Sequence, residues 1–470
     1  MRYQVVWFKR DLRVEDHRPL VEAARRGPVL PLYIVEPEWI GAEDFDPSHW
    51  AFVRASLVEL DRRLREMGQG LVVRVGEAVE VLRHWPVAHL WAHEDTGNWV
   101  SYQRDRRVRK WARETGTPMT ELPSGGVVRR LKTREGWSRN WEARMGEAIV
   151  EAPGRLQASI AGTGVPEGQE LGIGWDGRDL AQRGGEQAGM DVLDGFLSAR
   201  GVRYHSEMSS PVTAEASCSR LSPYLAYGNL STRQVVQATR RRIATLGEEE
   251  AKTWKRALRA FDARLHWRCH FMQKMEDEPR IEFENFVRAY DGMREEDWSE
   301  ERFEAWKEGR TGYAMVDASM RMLARTGWIN FRMRAMLVSF AAYDLWLHWK
   351  KPALHLAKLF VDYEPGIHYS QMQMQSGTTG INTLRMYSPE KQQADQDPEG
   401  VFVREWLGDE PLAEKIVEHR EAVAMARARI GEVRKRTGTR AEAKQVMAKH
   451  GSRKRKIVAP KKKSAQQMLF

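Results

Sequence analysis

The 470-residue sequence has little cysteine: only Cys218 and Cys269. Two thiols cannot supply the four ligands of an iron–sulfur cluster or of an all-cysteine zinc site. Their scarcity fits a reducing compartment. No apolar run approaches the ~18 residues that a membrane span requires. The N-terminus lacks the charged start, apolar stretch and small-residue cleavage pattern of a secretion signal. No membrane association and a cytoplasmic location are therefore expected. No Gly-x-Gly-x-x-Gly follows the first strand-like segment, which argues against a typical dinucleotide site. Internal repeats are absent as well.

Acidic residues are nearly missing from one end. Residues 431–470 carry 13 Lys+Arg against 2 Asp+Glu, whereas the preceding 430 residues carry 62 against 63. The net charge of +10 thus belongs to the tail. A body this close to neutral can bind nucleic acid only through a local basic patch.

What is present has two characters. Val5–Phe8, Val29–Val35, Leu71–Val75 and His89–Ala92 read as short buried strands. Between the second and third, Val53, Leu57, Leu60 and Leu64 fall on one face of a helix that Gly68 stops. Strands alternating with helices predict a doubly wound parallel sheet. From 191 to 430 the pattern is helical and rich in Trp, Met and Arg. Ten of the 37 glycines fall within 151–190, as in a loop-rich linker. The expected organisation is an α/β domain over 1–130, a Gly-rich linker over 131–190, an all-α domain over 191–430 and a flexible basic tail over 431–470. A core of this size exceeds the ~250–300 residues at which single domains stop growing.

Three segments carry candidate chemistry. Cys218-Ser219-Arg220-Leu221-Ser222 precedes a helix, where hydroxyls and backbone N–H groups suit either an ordinary cap or a diphosphate. His266 and His270 lie four apart with Cys269 nearby, but no third ligand stands at a useful spacing, and no metal is expected. Gly327–Arg334 opens a helix predicted to run to Trp349.

In order and spacing, Ser219–Pro223, Trp267-Arg268, Arg332-Met333-Arg334 and Asp362-Tyr363-Glu364 resemble the flavin-binding half of the DNA photolyase/cryptochrome family. Trp7–Arg13 resembles the opening motif of that family, and Gln375–Asn382 and Asp397–Leu407 its closing segment. The likeness covers roughly residues 1–410. It implies an FAD-binding all-α domain behind an α/β domain that can hold a second, antenna chromophore. Arg10, Arg13, Glu94 and Asp95 are candidate walls for that chromophore. The resemblance assigns Tyr204, Cys218, Ser219, Arg220, Leu221, Ser222, Phe261, Arg264, Trp267, Arg268, Asp362, Tyr363 and Glu364 to FAD.

Arg334 and Asp362 would pair beside the flavin ring, with His368 facing N5, able to hydrogen-bond or protonate it. Met372 falls where the family has its flavin-proximal electron-transfer tryptophan, and Trp349 and Trp298 match the other two. Trp346 or Tyr369 offers another path. Arg264, Arg268, Asn330, Phe331, Arg332, Met372 and Met374 are the candidate DNA contacts. Arg264 stands where repair enzymes for cyclobutane dimers carry Glu, and it cannot accept a hydrogen bond. Phe331 replaces the family's lesion-contacting Asn, and Met374 a stacking Trp.

The function implied is light-driven repair of pyrimidine dimers in DNA by electron transfer from reduced FAD. Cyclobutane dimers are favoured, because the Arg-Met-Arg segment lacks the His of (6-4) enzymes. The alternatives are a cryptochrome-type photoreceptor and a non-catalytic flavoprotein that binds single-stranded nucleic acid. Gln466–Phe470 resembles the short motif by which bacterial repair proteins bind the sliding clamp.

Overall fold

The computed structural model describes residues 1–451 apart from 159, 176, 181 and 410. Five strands, β1 (Tyr3–Phe8), β2 (Val29–Val35), β3 (Val72–Val75), β4 (Val87–His93) and β5 (Met119–Leu122), form one sheet in the order β3-β2-β1-β4-β5. Every pairing is parallel. All seven side chains of β2 are buried, because helices and linker cover both faces. A strand buried on both faces reads as a continuous apolar run. β5 was not anticipated: its four side chains are all half-buried and give neither a run nor an alternation.

Helix α1 (Pro47–Glu66) begins where the Asp46 carboxylate accepts from Ser48 N–H, with Pro47 at the first position. Its Val53, Leu57, Leu60 and Leu64 face the sheet and are buried. Helix α2 (Trp99–Glu114) follows β4, and α3 (Trp137–Gly146) follows β5. The expected Gly-rich linker thus begins with an ordered helix and then becomes a strap along the free edge of β3. Leu156 N–H donates to Met67 O (2.7 Å), Thr163 N–H to Leu71 O (3.1 Å) and Val73 N–H to Thr163 Oγ1 (2.8 Å). Covering an exposed sheet edge removes a template for aggregation.

The second domain is helical. The elements that matter for the site are α4 (Ser222–Ala226), α5 (Glu248–Asp277), α6 (Phe331–Ser339) and α7 (Pro365–Ser376), followed by α8 (His419–Lys435) and α9 (Thr437–His450). Helices α5 and α7 approach so closely that a Cβ on Gly366 would sit 2.7 Å from Met272 Cα. The helix predicted to run from 327 to Trp349 is broken. After α6 comes a π-type turn over Phe340–Asp344, and Trp346 takes a left-handed φ of 56°. No Gly or Pro marks that break. The Trp346 ring is clamped by Arg294 at 4.5 Å and Arg429 at 5.2 Å, and its indole N–H donates to Asp297 (3.1 Å).

The segment expected to be flexible from 431 onward starts as structure. Helices α8 and α9 bury Ile430, Val433, Val446 and His450, and Glu442 caps the turn at 288–289 by accepting from both backbone N–H groups. The amphipathic spacing of a few apolar residues there is masked by many charges. Gln466–Phe470 lies outside the described residues. No helix among the described residues is long and apolar enough to cross a membrane.

The two domains share one core, which runs from Val6 and Phe8 of β1 through Leu57 and Leu60 to Leu225, Phe261 and Leu265. At the seam Leu12 N–H donates to Tyr227 O (3.1 Å), and Arg13 Nη1 to Gly228 O (3.0 Å). Gly228 has φ 67°, and a Cβ there would fall 2.2 Å from Arg10 O. Only glycine permits that approach.

Candidate functional site

Arg334 stands one turn into α6. Its Nη1 and Nη2 donate to the two oxygens of Asp362 at 2.9 and 3.0 Å, and its Nε donates to Ile329 O at 2.7 Å. The guanidinium lies over Phe360, 4.1 Å from the ring centre. A forked pair of this kind fixes the orientation of the cation. Three of its five N–H groups are used, and the side chain keeps 26% of its exposure while Asp362 keeps 6%. The remaining two N–H groups have no protein acceptor among the described residues.

His368, on the first turn of α7, is buried on the same side. Its Nε2 lies 2.9 Å from Ala353 O. A carbonyl only accepts, so the proton sits on Nε2 and Nδ1 carries a free lone pair. Burial pushes the imidazole down to about 4, against the Ala353 bond and with help from the Arg334 charge. His368 is therefore neutral near pH 7. It can accept a hydrogen bond there, but it cannot serve as an acid.

The Cys218–Ser222 segment closes another wall. Arg220 takes a left-handed φ of 59° and lays its guanidinium 3.9 Å from the centre of the Trp328 ring. Its Nη1 is buried and lies 3.4 Å from the exposed Glu215 carboxylate, and its Nε donates to Gln182 (3.4 Å). Burial pushes the Cys218 thiol up to about 11, although Arg220, Arg200, Arg334 and Arg264 pull the other way. The thiol is neutral, and four cations act on this one point. Tyr204, its hydroxyl pushed up to about 12 by burial, packs edge-on against Phe261 at 5.8 Å. Leu221 is plain core, 1% exposed.

The outer rim carries Trp267 and Phe331, 40% and 41% exposed. Arg264, exposed on α5, lies 5.0 Å from the centre of the Phe331 ring. Half-buried Arg332 donates to Ser209 Oγ (3.2 Å), and Met374 is half-buried on α7.

Several residues expected here are committed elsewhere. Arg268 Nη2 donates to Leu225 O (2.8 Å) and to Glu364 (2.7 Å). Glu364 also holds Arg10, at 3.1 Å. The Tyr363 hydroxyl donates to Asp44 (2.7 Å), and its ring stacks on His49. The side chains of Arg268, Tyr363 and Glu364 therefore help to lock the two domains together. Burial drives the Glu364 carboxyl upward, and Arg10 and Arg268 oppose it.

Asn330 is 2% exposed, with its amide tied to Met208 O and Ser209 O at 3.2 and 2.7 Å. Met372 is 2% exposed in the core. Neither can reach DNA. Trp349 is buried against Tyr369, with ring centres 6.3 Å apart, and donates to Asn285 (2.7 Å). Trp298 packs on Phe303 at 5.2 Å instead of continuing from Trp349. Sequence reasoning missed Trp328 and Phe360, the surfaces on which Arg220 and Arg334 rest. The adjacency of Trp328 to Gly327 at the head of the motif was the available signal.

A second recess lies at the domain seam. Arg10, Arg13, Glu94 and Asp95 all line it, together with Lys9 and Asp11. They stand at the carboxyl ends of β1 and β4, where the strand order reverses, the usual ligand crevice of an open parallel sheet. Asp11 Oδ2 faces His17 Nε2 (2.9 Å) and His93 Nδ1 (2.8 Å). This is the one group of three potential metal ligands among the described residues. His17 Nδ1 accepts from Leu20 N–H (3.1 Å), so its proton is on Nε2 and that atom is not free to ligate.

The sequence models for DNA photolyase and for the FAD binding domain of DNA photolyase match residues 4–136 and 261–456. A deoxyribodipyrimidine photo-lyase of Thermus thermophilus is 30% identical over 87% of this chain and 92% of its own length. A cryptochrome DASH of Gloeobacter violaceus is 28% identical over 86% and 85%. The crystal structure of an archaeal photolyase from Sulfolobus tokodaii, described with two FAD molecules, superposes with a TM-score of 0.77 at 26% identity, covering 91% of this chain and 99% of that one.

Proposed function

The chain belongs to the DNA photolyase/cryptochrome family, and from that premise we propose that it repairs pyrimidine dimers in DNA with light, using FAD held in the helical domain. The carrying observation is the forked Arg334–Asp362 pair with its two unused N–H groups, set beside the neutral His368. The donor set fits the cofactor: the Arg220 guanidinium, whose one countercharge is the exposed Glu215, stands beside the hydroxyls of Ser219 and Ser222, and such donors suit a diphosphate. When bound, FAD supplies light-driven electron transfer to the dimer.

The protein's part is electrostatic and steric. Tyr204, Ser219, Arg220 and Ser222 would hold the phosphates. Arg334, fixed by Asp362, would supply a positive charge that favours the reduced, negatively charged form. His368, with its proton on Nε2, would offer its Nδ1 lone pair as an acceptor. Trp267 and Phe331 form the apolar rim against which a dimer extruded from the stack can rest. Cyclobutane dimers remain the favoured lesion. The recess at the domain seam is the place for an antenna chromophore.

A second reading, a photoreceptor with little repair, draws on Arg264 and Phe331. Their cation–ring contact occupies the rim where the resemblance implies a carboxylate and an amide. One experiment separates the readings. The purified, reduced protein is mixed with UV-damaged single- and double-stranded oligonucleotides and illuminated with blue light. Loss of dimers only in the light supports repair. An intact lesion, with the flavin cycling in light, supports the sensor. Tight binding without either response supports a passive nucleic-acid binder.

A further inference from the structure

Helix α2 carries its cations in two sets. Arg104 holds Glu36, Asp95 and Asp105 at 3.0, 3.0 and 2.9 Å, Arg107 is paired with Glu38 and Glu77, and Arg109 with Glu121. The second set, Arg106, Lys110 and Arg113, is exposed. Arg106 donates to Gln103 Oε1 at a long 3.4 Å and has no carboxylate partner, and Lys110 stands 3.7 Å from the exposed Glu114, a solvated pair of little strength. The Arg113 side chain makes no ion pair or hydrogen bond among the described residues.

The second set shares its face with an aromatic pair. Trp99, Tyr102, Arg106, Lys110 and Arg113 are spaced i, i+3, i+7, i+11 and i+14, one stripe of a helix. Trp99 stacks on Tyr102, with ring centres 5.6 Å apart at 29°, and meets Phe283, just beyond α5, edge-on at 6.0 Å. The Arg106 guanidinium lies 5.9 Å from the Tyr102 ring centre. Trp99, Tyr102 and Phe283 keep 40%, 38% and 41% of their exposure, so three large rings stand together at the surface. Their seat is fixed from below. Asn98 caps α2 by accepting from Ser101 N–H (3.1 Å) and donates to buried Asp44 (2.8 Å), and Trp99 N–H donates to buried Glu282 (2.7 Å).

Tyr102, Arg106, Lys110 and Arg113 line a groove of about 980 Å³, together with Arg130 and Leu131 from the loop after β5. Arg130 is exposed and has no ion partner among the described residues. Of the carboxylates that also line the groove, Asp95, Asp105, Glu121, Glu276 and Asp277 each lie 2.5–3.9 Å from an arginine. Burial pushes the remaining one, Glu94, upward, against the pull of Arg129. The exposed and unpaired charge is therefore positive. We propose that this face of α2 and its groove bind single-stranded nucleic acid, with backbone phosphates on Arg106, Lys110 and Arg113 and a base stacked on the Trp99–Tyr102 pair. Cations that track a backbone beside rings that stack bases are the general solution for single strands. A duplex hides the faces of its bases, and an acidic peptide supplies charge without planar faces. DNA and RNA share both features, so either can be the strand. The inference stands apart from the repair reading, because none of these residues belongs to the Arg334 site or to its Trp267–Phe331 rim.

The test uses the full-length protein and undamaged, fluorescent single-stranded oligonucleotides of DNA and of RNA, followed by anisotropy across a salt series. The variants are the triple Arg106→Ala/Lys110→Ala/Arg113→Ala, the single Trp99→Ala and the ring-retaining Trp99→Phe. All alter exposed side chains, and Tm checks that each fold is intact. The basic tail and the rim are the same in every form, so their share of binding cancels in the comparison. The triple variant should bind about tenfold more weakly or worse. Its log–log salt slope should be shallower by about 2, since each phosphate contact on a single strand contributes ~0.7. Trp99→Ala should weaken binding about fivefold or more with the slope unchanged, and Trp99→Phe should keep most of the affinity. Preference for one of the two oligonucleotides identifies the strand. The proposal is overturned if neither oligonucleotide binds, if the triple variant keeps the wild-type slope, or if Trp99→Ala binds as the wild type does. It is equally overturned if inorganic polyphosphate of matched charge competes as well as an oligonucleotide, because the rings would then have no part in recognition.

Discussion

Two arginine–carboxylate arrangements are centred on neighbouring acids, Asp362 and Glu364, and they are built for different ends. At Glu364 two arginines, Arg10 from the α/β domain and Arg268 from α5, converge on one buried carboxylate, and their other donors go to Ala226 O, Tyr363 O and Leu225 O. That cluster joins the two domains. At Asp362 a single arginine is gripped by both oxygens and keeps two unused N–H groups. The same two functional groups therefore make a rivet in one place and a poised charge in the other. The distinction lies in what the carboxylate joins, two arginines from two domains at Glu364 or one arginine at Asp362, and not in the residue types.

The comparison breaks first at the rivet. Glu364→Ala leaves two half-buried arginines without their buried countercharge, and removing one partner of a buried ionic group costs about 3–5 kcal/mol. Denaturant unfolding should show a loss of that order. A loss below ~1 kcal/mol would mean that the cluster is solvated and not sealed.

The next effect concerns pH at the poised site. His368 in the folded protein is pushed down to about 4, below the ~6.5 of an unfolded histidine. Below pH ~6.5 the unfolded chain takes up a proton that the folded chain refuses, so stability falls as pH drops toward 4 and levels off beneath it. The His368 share is about 3 kcal/mol. His368→Asn should therefore lose less stability than the wild type over that interval. Parallel curves for the two proteins would show that His368 charges in the folded state.

The smallest of these effects is kinetic. With Met372 in the core where the resemblance implies a tryptophan, Tyr369 is the aromatic side chain in contact with Trp349. Tyr369→Phe should slow photoreduction of the flavin about tenfold, equivalent to ~1.4 kcal/mol on the barrier. Flash photolysis measures it directly. An unchanged rate would place the route elsewhere, for example through Trp346.

The parts legible in the sequence were those with local signals. Four strands, helix α1 and the order of the motif segments follow from apolar runs, caps and spacing. β5 was not legible, because a half-buried four-residue edge strand leaves no pattern. The break after α6 was also hidden, since Trp346 adopts its left-handed backbone under clamping by Arg294 and Arg429 rather than through glycine. Among the site residues, Arg334, Asp362, His368, Arg220 and Cys218 fell together as their motifs implied. The inter-domain contacts of Tyr363 and Glu364 were not legible, because their partners, Asp44 and Arg10, lie more than 300 residues away in the other domain. No spacing rule reports a contact at that range. Asn330 and Met372 were misplaced by a related cause: being next to an exposed rim residue says nothing about which way a side chain turns.

The account rests on Arg334 being a charge held ready for a reduced cofactor. Its most direct test is the reduction potential of bound flavin in the wild type and in Arg334→Leu, with Arg334→Lys as the charge-retaining control. Losing a charge-assisted hydrogen bond of about 1.5–3 kcal/mol should lower a one-electron potential by roughly 60–130 mV, and Lys should restore part of it. A folded, flavin-loaded Arg334→Leu protein with an unchanged potential would contradict the account.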